Sequence, residues 1–305
     1  MIIYRLMTPQ DFRKVFELCK DSFPDNPISM GCLNYLLFCN DTLDFSLYWL
    51  ACKGETIVGA ACAAMDYNGD TGYIQFVAVK RDFRRQGIAT SLVEKLLCEF
   101  SGRGVAEVIF SGYSRNYLTP GLDAKKYPLG LALFNKFDFS PLSRPVSMEI
   151  ILESYQAPQL NISKDFRIVP FEDEHFASVL CLSKEHLQPE WMETIQKGYL
   201  KGNYSCKGFV CLDQGENVIG FAFYGMVGDD ARRFGPIGIN PNYRGKSLGA
   251  VLLHACLGAQ KEAGHDKSYF LWGDEGSAAV EMYKKNGFTV FSSMIVLRKQ
   301  LSQKS

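Results

Sequence analysis

Residues 84–90 read Arg-Arg-Gln-Gly-Ile-Ala-Thr, directly after the apolar run Phe76-Val77-Ala78-Val79 and directly before a helical pattern. Residues 244–250 read Arg-Gly-Lys-Ser-Leu-Gly-Ala, after Pro236-Ile237-Gly238-Ile239, and again open an apolar helix. In both places a strand ends in a short turn of small and cationic residues at the start of a helix. The first N–H groups of a helix lack intrahelical partners and lie at the positive end of its dipole, so such a turn suits an anion. Gly87 and Ala89 add little bulk, which allows a phosphate close approach to the backbone.

The duplication extends outward from these loops. Tyr4-Arg5-Leu6 corresponds to Phe166-Arg167-Ile168, and the strand–turn–strand of 51–60 to that of 211–220, closing on Gly59 and Gly220. Leu133-Phe134-Asn135-Lys136-Phe137-Asp138-Phe139 corresponds to Met282-Tyr283-Lys284-Lys285-Asn286-Gly287-Phe288. The first half carries extra residues around Ser111 to Gly130, a Gly-, Pro- and Tyr-rich segment that reads as a loop. A repeat of this length is a whole domain, because solenoid units run about 20–50 residues. The expected organisation is a first domain over 1–155, a linker over 156–165 containing Pro158, and a second domain over 166–305, the last folding by itself.

Composition agrees with an ordinary globular chain. The 305 residues are 47% hydrophobic and 22% charged, with equal numbers of basic and acidic side chains. That balance gives no field for nucleic acid or a membrane surface. No apolar run approaches the ~20 residues that span a bilayer. Ten scattered cysteines without a C-x-x-C pair, and four histidines without ligand-like spacing, indicate no metal and a reducing cytoplasmic setting.

Each half reads as α/β. In the first half strands are expected at 2–6, 47–52, 57–65, 73–79, 106–111 and 146–152, and helices at 8–19, 28–39 and 129–137. Leu92, Val93, Leu96, Leu97 and Phe100 form the stripe of one further helix, after the loop. The second half repeats the order, with strands near 166–169, 207–212, 218–226, 233–239, 268–272 and 290–297.

Strand, basic small-residue loop, helix, strand, then a helix with Tyr-x-x-x-Gly-Phe, resembles the GNAT superfamily of acyl-CoA-dependent N-acyltransferases. Two copies resemble the tandem GNAT proteins, a layout shared with mycothiol synthase. The resemblance implies two mixed, mostly antiparallel sheets with helices on both faces, and acetyl-CoA as co-substrate. It assigns the CoA pyrophosphate to Arg84, Arg85, Gln86, Gly87, Ile88, Ala89 and Thr90, and to Arg244, Gly245, Lys246, Ser247, Leu248, Gly249 and Ala250. It assigns the pantetheine amides to the free backbone of Val77, Ala78 and Val79, and of Ile237, Gly238 and Ile239.

Tyr283 occupies the family's acid position, protonating the departing thiolate after direct attack by an amine. The first copy departs from the pattern, with Phe134 for the tyrosine and Asp138 for the glycine. The second has Ser247 in its loop and Gly276 where relatives carry an asparagine. The expected activity is therefore N-acetyl transfer to a small-molecule or peptide amine, with chemistry in the second half. Catalysis in the first half, or a non-catalytic acyl-CoA-binding regulator, are the alternatives. Tyr113, Tyr117 and Tyr127 are candidate donors for the first copy. Asp229, Asp230, Asp274 and Glu275 are candidate bases, Arg232-Arg233 a candidate carboxylate clamp, and Trp272 and Tyr224 candidate cleft residues.

Overall fold

A computed structural model describes residues 1–24, 28–39, 43–111, 117–228 and 230–301. The first half runs β1 (Ile3–Leu6), α1 (Phe12–Ser22), α2 (Met30–Phe38), β2 (Tyr48–Lys53), β3 (Thr56–Met65), β4 (Thr71–Val79) and α3 (Ile88–Gly102). It continues with β5 (Glu107–Phe110), α4 (Pro128–Lys136), β6 (Ser140–Ser143) and β7 (Pro145–Ile151). The second half runs β8 (Arg167–Pro170), α5 (Phe176–His186), α6 (Pro189–Lys201), β9 (Lys207–Leu212), β10 (Val218–Tyr224), β11 (Phe234–Ile239) and α7 (Leu248–Glu262). It closes with β12 (Lys267–Asp274), α8 (Ala278–Lys285), β13 (Thr289–Ser293) and β14 (Val296–Gln300).

The expected mixed α/β architecture is present, but the compact units are not 1–155 and 166–305. The first unit is Met1–Pro145 together with Ser293–Ser305, and the second is Val146–Ser292. The sheet order explains why. In the first unit it is β1-β2-β3-β4-β5-β14-β6, so the last strand of the chain lies between two strands of the first half. In the second unit β7 lies between β12 and β13. The two halves have exchanged equivalent strands, and the single strand expected over 290–297 is two strands that serve different sheets. Leu297 pairs with Phe110 and Gln300 with Glu107, antiparallel to β5.

Small residues set the spacing between sheet and helix. A Cβ on Gly59 would lie 2.9 Å from Ile88 Cγ2, and one on Gly220 would lie 2.4 Å from Ile239 Cδ1 and 3.4 Å from Leu252 Cδ1. These equivalent glycines let α3 and α7 pack close to their sheets. In the second unit the pleat then sorts side chains by face. Phe221 and Phe223 of β10 join the α5–α6 core, whereas Ala222 and Tyr224 join the α7 core, as does Ile219 across a register shift between Val218 and Gly220.

At its ends, polar bonding secures each unit. Asp11 accepts two bonds from the Arg5 guanidinium, at 2.6 and 2.7 Å, and one from the Thr8 N–H at 2.9 Å. Those bonds, against the cost of burial, hold its carboxyl well below the usual range. In the second unit Asn286 Nδ2 donates to Met282 O at 2.7 Å, which turns Oδ1 toward His254 Nε2, 2.7 Å away. The Nε2 proton then leaves Nδ1 bare to accept from the Tyr155 hydroxyl at 2.6 Å.

Burial lowers the His254 pKa below its ordinary 6.5. A neutral folded imidazole and a titrating unfolded one make the folded state bind fewer protons. The stabilisation is complete above the unfolded pKa and declines as pH falls through it. The urea midpoint is expected to drop from about pH 7 to about pH 5, and less steeply in His254→Gln. Parallel slopes in the two proteins would refute this assignment.

Candidate acetyl-transfer site

In each unit two adjacent parallel strands part. β4 pairs with β5 only from Thr71–Glu107 to Ile74–Phe110, while its pairing with β3 continues to Gly59–Val79. Among the described residues no strand pairs with Val77 to Val79 on the β5 side. β11 and β12 part sooner, sharing one bridge at Arg233–Tyr269, while β11 stays paired with β10 to Gly220–Ile239.

Beyond each fork the chain makes a 3-10 turn, Arg81–Phe83 or Pro241–Tyr243, and enters the loop. The two loops share one backbone form. Arg85 (φ 61°) and Gly87 (φ 79°) are left-handed in the first, Gly245 (φ 79°) and Ser247 (φ 60°) in the second. Each loop therefore has two left-handed positions, only one of them a glycine, in opposite order. Holding a non-glycine residue there costs about 1–2 kcal/mol. Ser247 thus keeps the conformation of Gly87 instead of loosening the loop. Alternation of this kind turns successive N–H groups inward, and neither α3 nor α7 has a side chain capping its N-terminus. A Cβ at Gly87 or Gly245 would meet nothing within 4 Å. Uncapped amides, a positive dipole end and open space fit a pyrophosphate.

Not every loop cation faces an anion. Arg84 Nε donates to Val79 O at 3.0 Å and so clamps the end of β4. Lys246 Nζ lies over the rings of Phe166 (5.0 Å) and Tyr243 (5.5 Å). Ile88 and Leu248 are buried anchors, whereas residues 84–87 and 244–247 are exposed.

Phe134 and Tyr283 hold the same place in matching aromatic clusters. Phe134 lies 4.0 Å from Phe110 and 5.1 Å from Phe139, between ring centroids. Tyr283 lies 4.4 Å from Phe270 and 5.5 Å from Phe288, with Phe234, at the fork, 6.1 Å away. Burial pushes the Tyr283 phenol far above its ordinary value, so it keeps its proton at neutral pH. A protonated hydroxyl is thus held within the aromatic core of the second unit.

Other candidates are committed elsewhere. Asp230 accepts from Arg232 Nε at 2.9 Å and Nη2 at 2.8 Å, and from the Tyr269 hydroxyl at 3.1 Å. Burial works against the Asp230 charge, but these bonds outweigh it and hold the carboxyl below its usual value, a poor base. Arg232 also reaches Asp266 at 3.3 Å, so its guanidinium serves this network and not a substrate carboxylate. Asp274 accepts the Trp272 indole N–H at 3.0 Å, and both Asp274 and Glu275 are exposed. Tyr224 is a core residue, 8% exposed. Tyr117 is half-buried, and Tyr127 packs edge-on against Phe23 at 6.0 Å. Asp229 and Tyr113 lie outside the described residues.

One element went unread in the sequence. A Cβ on Gly238 would lie 2.4 Å from Leu187 and 3.0 Å from Trp191, so the α5–α6 corner packs on a face of β11 at this residue. That long-range contact leaves no local pattern. Among the described residues no cluster of three or more His, Cys, Asp or Glu side chains is placed to hold a metal, and no helix is long and apolar enough to cross a membrane.

The profile of the acetyltransferase (GNAT) family matches residues 12–116, and that of an acetyltransferase (GNAT) domain matches residues 205–290. The chain belongs to the GNAT family. It carries two GNAT domains in tandem, and each match contains one of the two loops. No curated protein sequence matches it.

Solved structures share the GNAT fold over nearly the whole chain. One is the GCN5-related glucosamine N-acetyltransferase region of a fungal multi-domain GH3 β-N-acetylglucosaminidase, at 18% identity and TM-score 0.81 over 98% of this chain. The chain spans 38% of that protein's length. A GCN5-related N-acetyltransferase from Sphaerobacter thermophilus is 15% identical, with TM-score 0.74 over 98% of this chain and 95% of its own. A tandem GNAT protein from the clavulanic acid biosynthesis pathway is 12% identical, with TM-score 0.73 over the full length of both chains.

Proposed function

We propose that this GNAT protein transfers an acetyl group from acetyl-CoA to a primary amine of a small molecule or peptide, with the chemistry in the second unit. The observation that carries the choice of unit is the Tyr283 hydroxyl, set in an aromatic cluster that Phe134 fills in the first unit without one. The α7 amides and the 244–250 loop hold the pyrophosphate, and the open edge of β11 pairs with the pantetheine amides. The amine nitrogen attacks the thioester carbon, and a β11 backbone N–H stabilises the oxygen as it gains charge. As the C–S bond breaks, Tyr283 gives its proton to the sulfur, the nitrogen sheds one proton to water, and water returns a proton to the phenolate.

Incubation with acetyl-CoA and an amine panel, read as free thiol, is the direct test. Glucosamine belongs in that panel because one structural neighbour is named for it. Thiol release should depend on the amine. Acetyl-CoA binding without such release from any amine would leave an acyl-CoA-binding protein.

The 84–90 loop should bind CoA as well. Gly87→Glu sets a carboxylate against the pyrophosphate and should remove one class of site in a calorimetric titration, whereas Gly87→Ala carries the same backbone strain without the charge and should retain it. Unchanged stoichiometry and affinity in Gly87→Glu would sink this assignment.

A further inference from the structure

A chain of polar side chains runs through the second unit and ends beside Tyr283. The Tyr155 hydroxyl donates to His254 Nδ1 at 2.6 Å, His254 Nε2 donates to Asn286 Oδ1 at 2.7 Å, and Asn286 Nδ2 donates to Met282 O at 2.7 Å. A carbonyl oxygen only accepts, so Met282 O fixes the direction of every bond in the chain. His254 is 7% exposed and Tyr155 9%, so water competes little for these bonds. Lys261, about two turns further along α7, donates to Tyr155 O and anchors the far end.

The chain ends where α8 needs support. This helix has eight residues, too few to hold its end by propensity alone. Tyr283 lies in its last turn, where carbonyls lack intrahelical donors. Met282 O accepts from both the backbone and the side-chain amide of Asn286, at 3.1 and 2.7 Å. Tyr283 O accepts from the N–H groups of Asn286 and Phe288, each at 3.0 Å. His254 thereby braces this end of α8 against α7, the helix that opens at the 244–250 loop.

The first unit serves as an internal control. Helices α3 and α7 are both fifteen residues long and begin at equivalent loop positions, so Glu94 stands where α7 has His254. Phe137 stands where the second unit has Asn286, in the same correspondence that pairs Phe134 with Tyr283. Glu94 is exposed and Phe137 has no polar side-chain atom, so no such chain forms there. The unit without the phenol also lacks the brace.

We infer that His254 and Asn286 are positioning residues for Tyr283, fixing the end of α8 so that the phenol keeps its place relative to α7, an assignment that rests on the reading of Tyr283 as the general acid. Phe270 and Phe288 grip the ring, so its hydroxyl moves with the helix end. A general acid works only within hydrogen-bond reach of its target, and a displacement of about 1 Å is enough to cost much of the rate.

The test is kcat and KM on the full chain with the fastest amine. His254→Leu removes the brace at similar volume and should lower kcat about tenfold, with the acetyl-CoA KM unchanged. His254→Gln returns an N–H near the Nε2 position and should recover most of that loss. Where His254→Leu does not fold, Asn286→Asp takes its place, because it keeps an acceptor for His254 and removes the donor to Met282 O. In the ligand-free protein, amide exchange over 282–288 should quicken about tenfold in either variant, while β9 and β10 exchange as before. Unchanged exchange over 282–288, or a uniform rise across the unit, overturns the assignment.

A cycle with Tyr283→Phe gives the readout that a merely stabilising role would not move. In that background the brace variant should lower the residual turnover by no more than about twofold, because the group it positions is already gone. A repeat of the full loss there, or no recovery in His254→Gln, overturns the positioning role and leaves Tyr283 as the acid. Full turnover in Tyr283→Phe alone overturns the acid and the positioning role together.

Discussion

Replacing Tyr283 by phenylalanine is expected to lower turnover by about a hundredfold to ten-thousandfold, the usual worth of a general acid. The ring volume is unchanged, so the packing against Phe270 and Phe288 should survive and the melting temperature should move little. Acetyl-CoA affinity should also hold, because in the proposed mechanism the hydroxyl acts on the sulfur only as the thiolate departs. The measurement is kcat and KM for the best amine, alongside a binding titration. The matching change Phe134→Tyr should add no activity. Full turnover in Tyr283→Phe would move the chemistry to the first unit.

Cutting the chain at the boundary read from its repeats should prevent folding. Residues 166–305 lack β7, the middle strand of the β12-β7-β13 sheet, so β12 and β13 would face each other without the strand that joins them. Residues 146–292 contain every strand of the second unit and should give a cooperative urea transition with α/β circular dichroism. Residues 1–145 should likewise need the 293–301 segment, supplied in trans, to pair β5 with β6 through β14. A cooperative transition in 166–305, or none in 146–292, would contradict the strand exchange.

The sequence was informative wherever a structure is made by neighbours. The loops, the strands before them and the helices after them are contiguous, so their composition alone marked both copies, and the fork of β4 and β5 came with the family pattern. Strand membership is a different matter. Nothing in the alternation of 290–300 says that Leu297 pairs with Phe110, because that choice depends on a partner far away in the chain. The site divides along the same line. The partner of Arg232, Asp266, stands 34 residues further along the chain, so no local pattern marks the guanidinium as engaged. The left-handed form of Ser247 was hidden for another reason: a serine gives no sign that it will accept a glycine's conformation.

The strand exchange reverses the order in which a growing chain becomes finished protein. Domains generally mature from the N-terminus as they leave the ribosome. Here the later-encoded unit has its strands once residue 292 has emerged, whereas the earlier one waits for β14, which is made after the whole of the second unit. Until then β5 and β6 present open edges, which invite pairing with other chains. A premature stop after residue 292 would therefore spare the unit that carries Tyr283 and leave the unit encoded first incomplete.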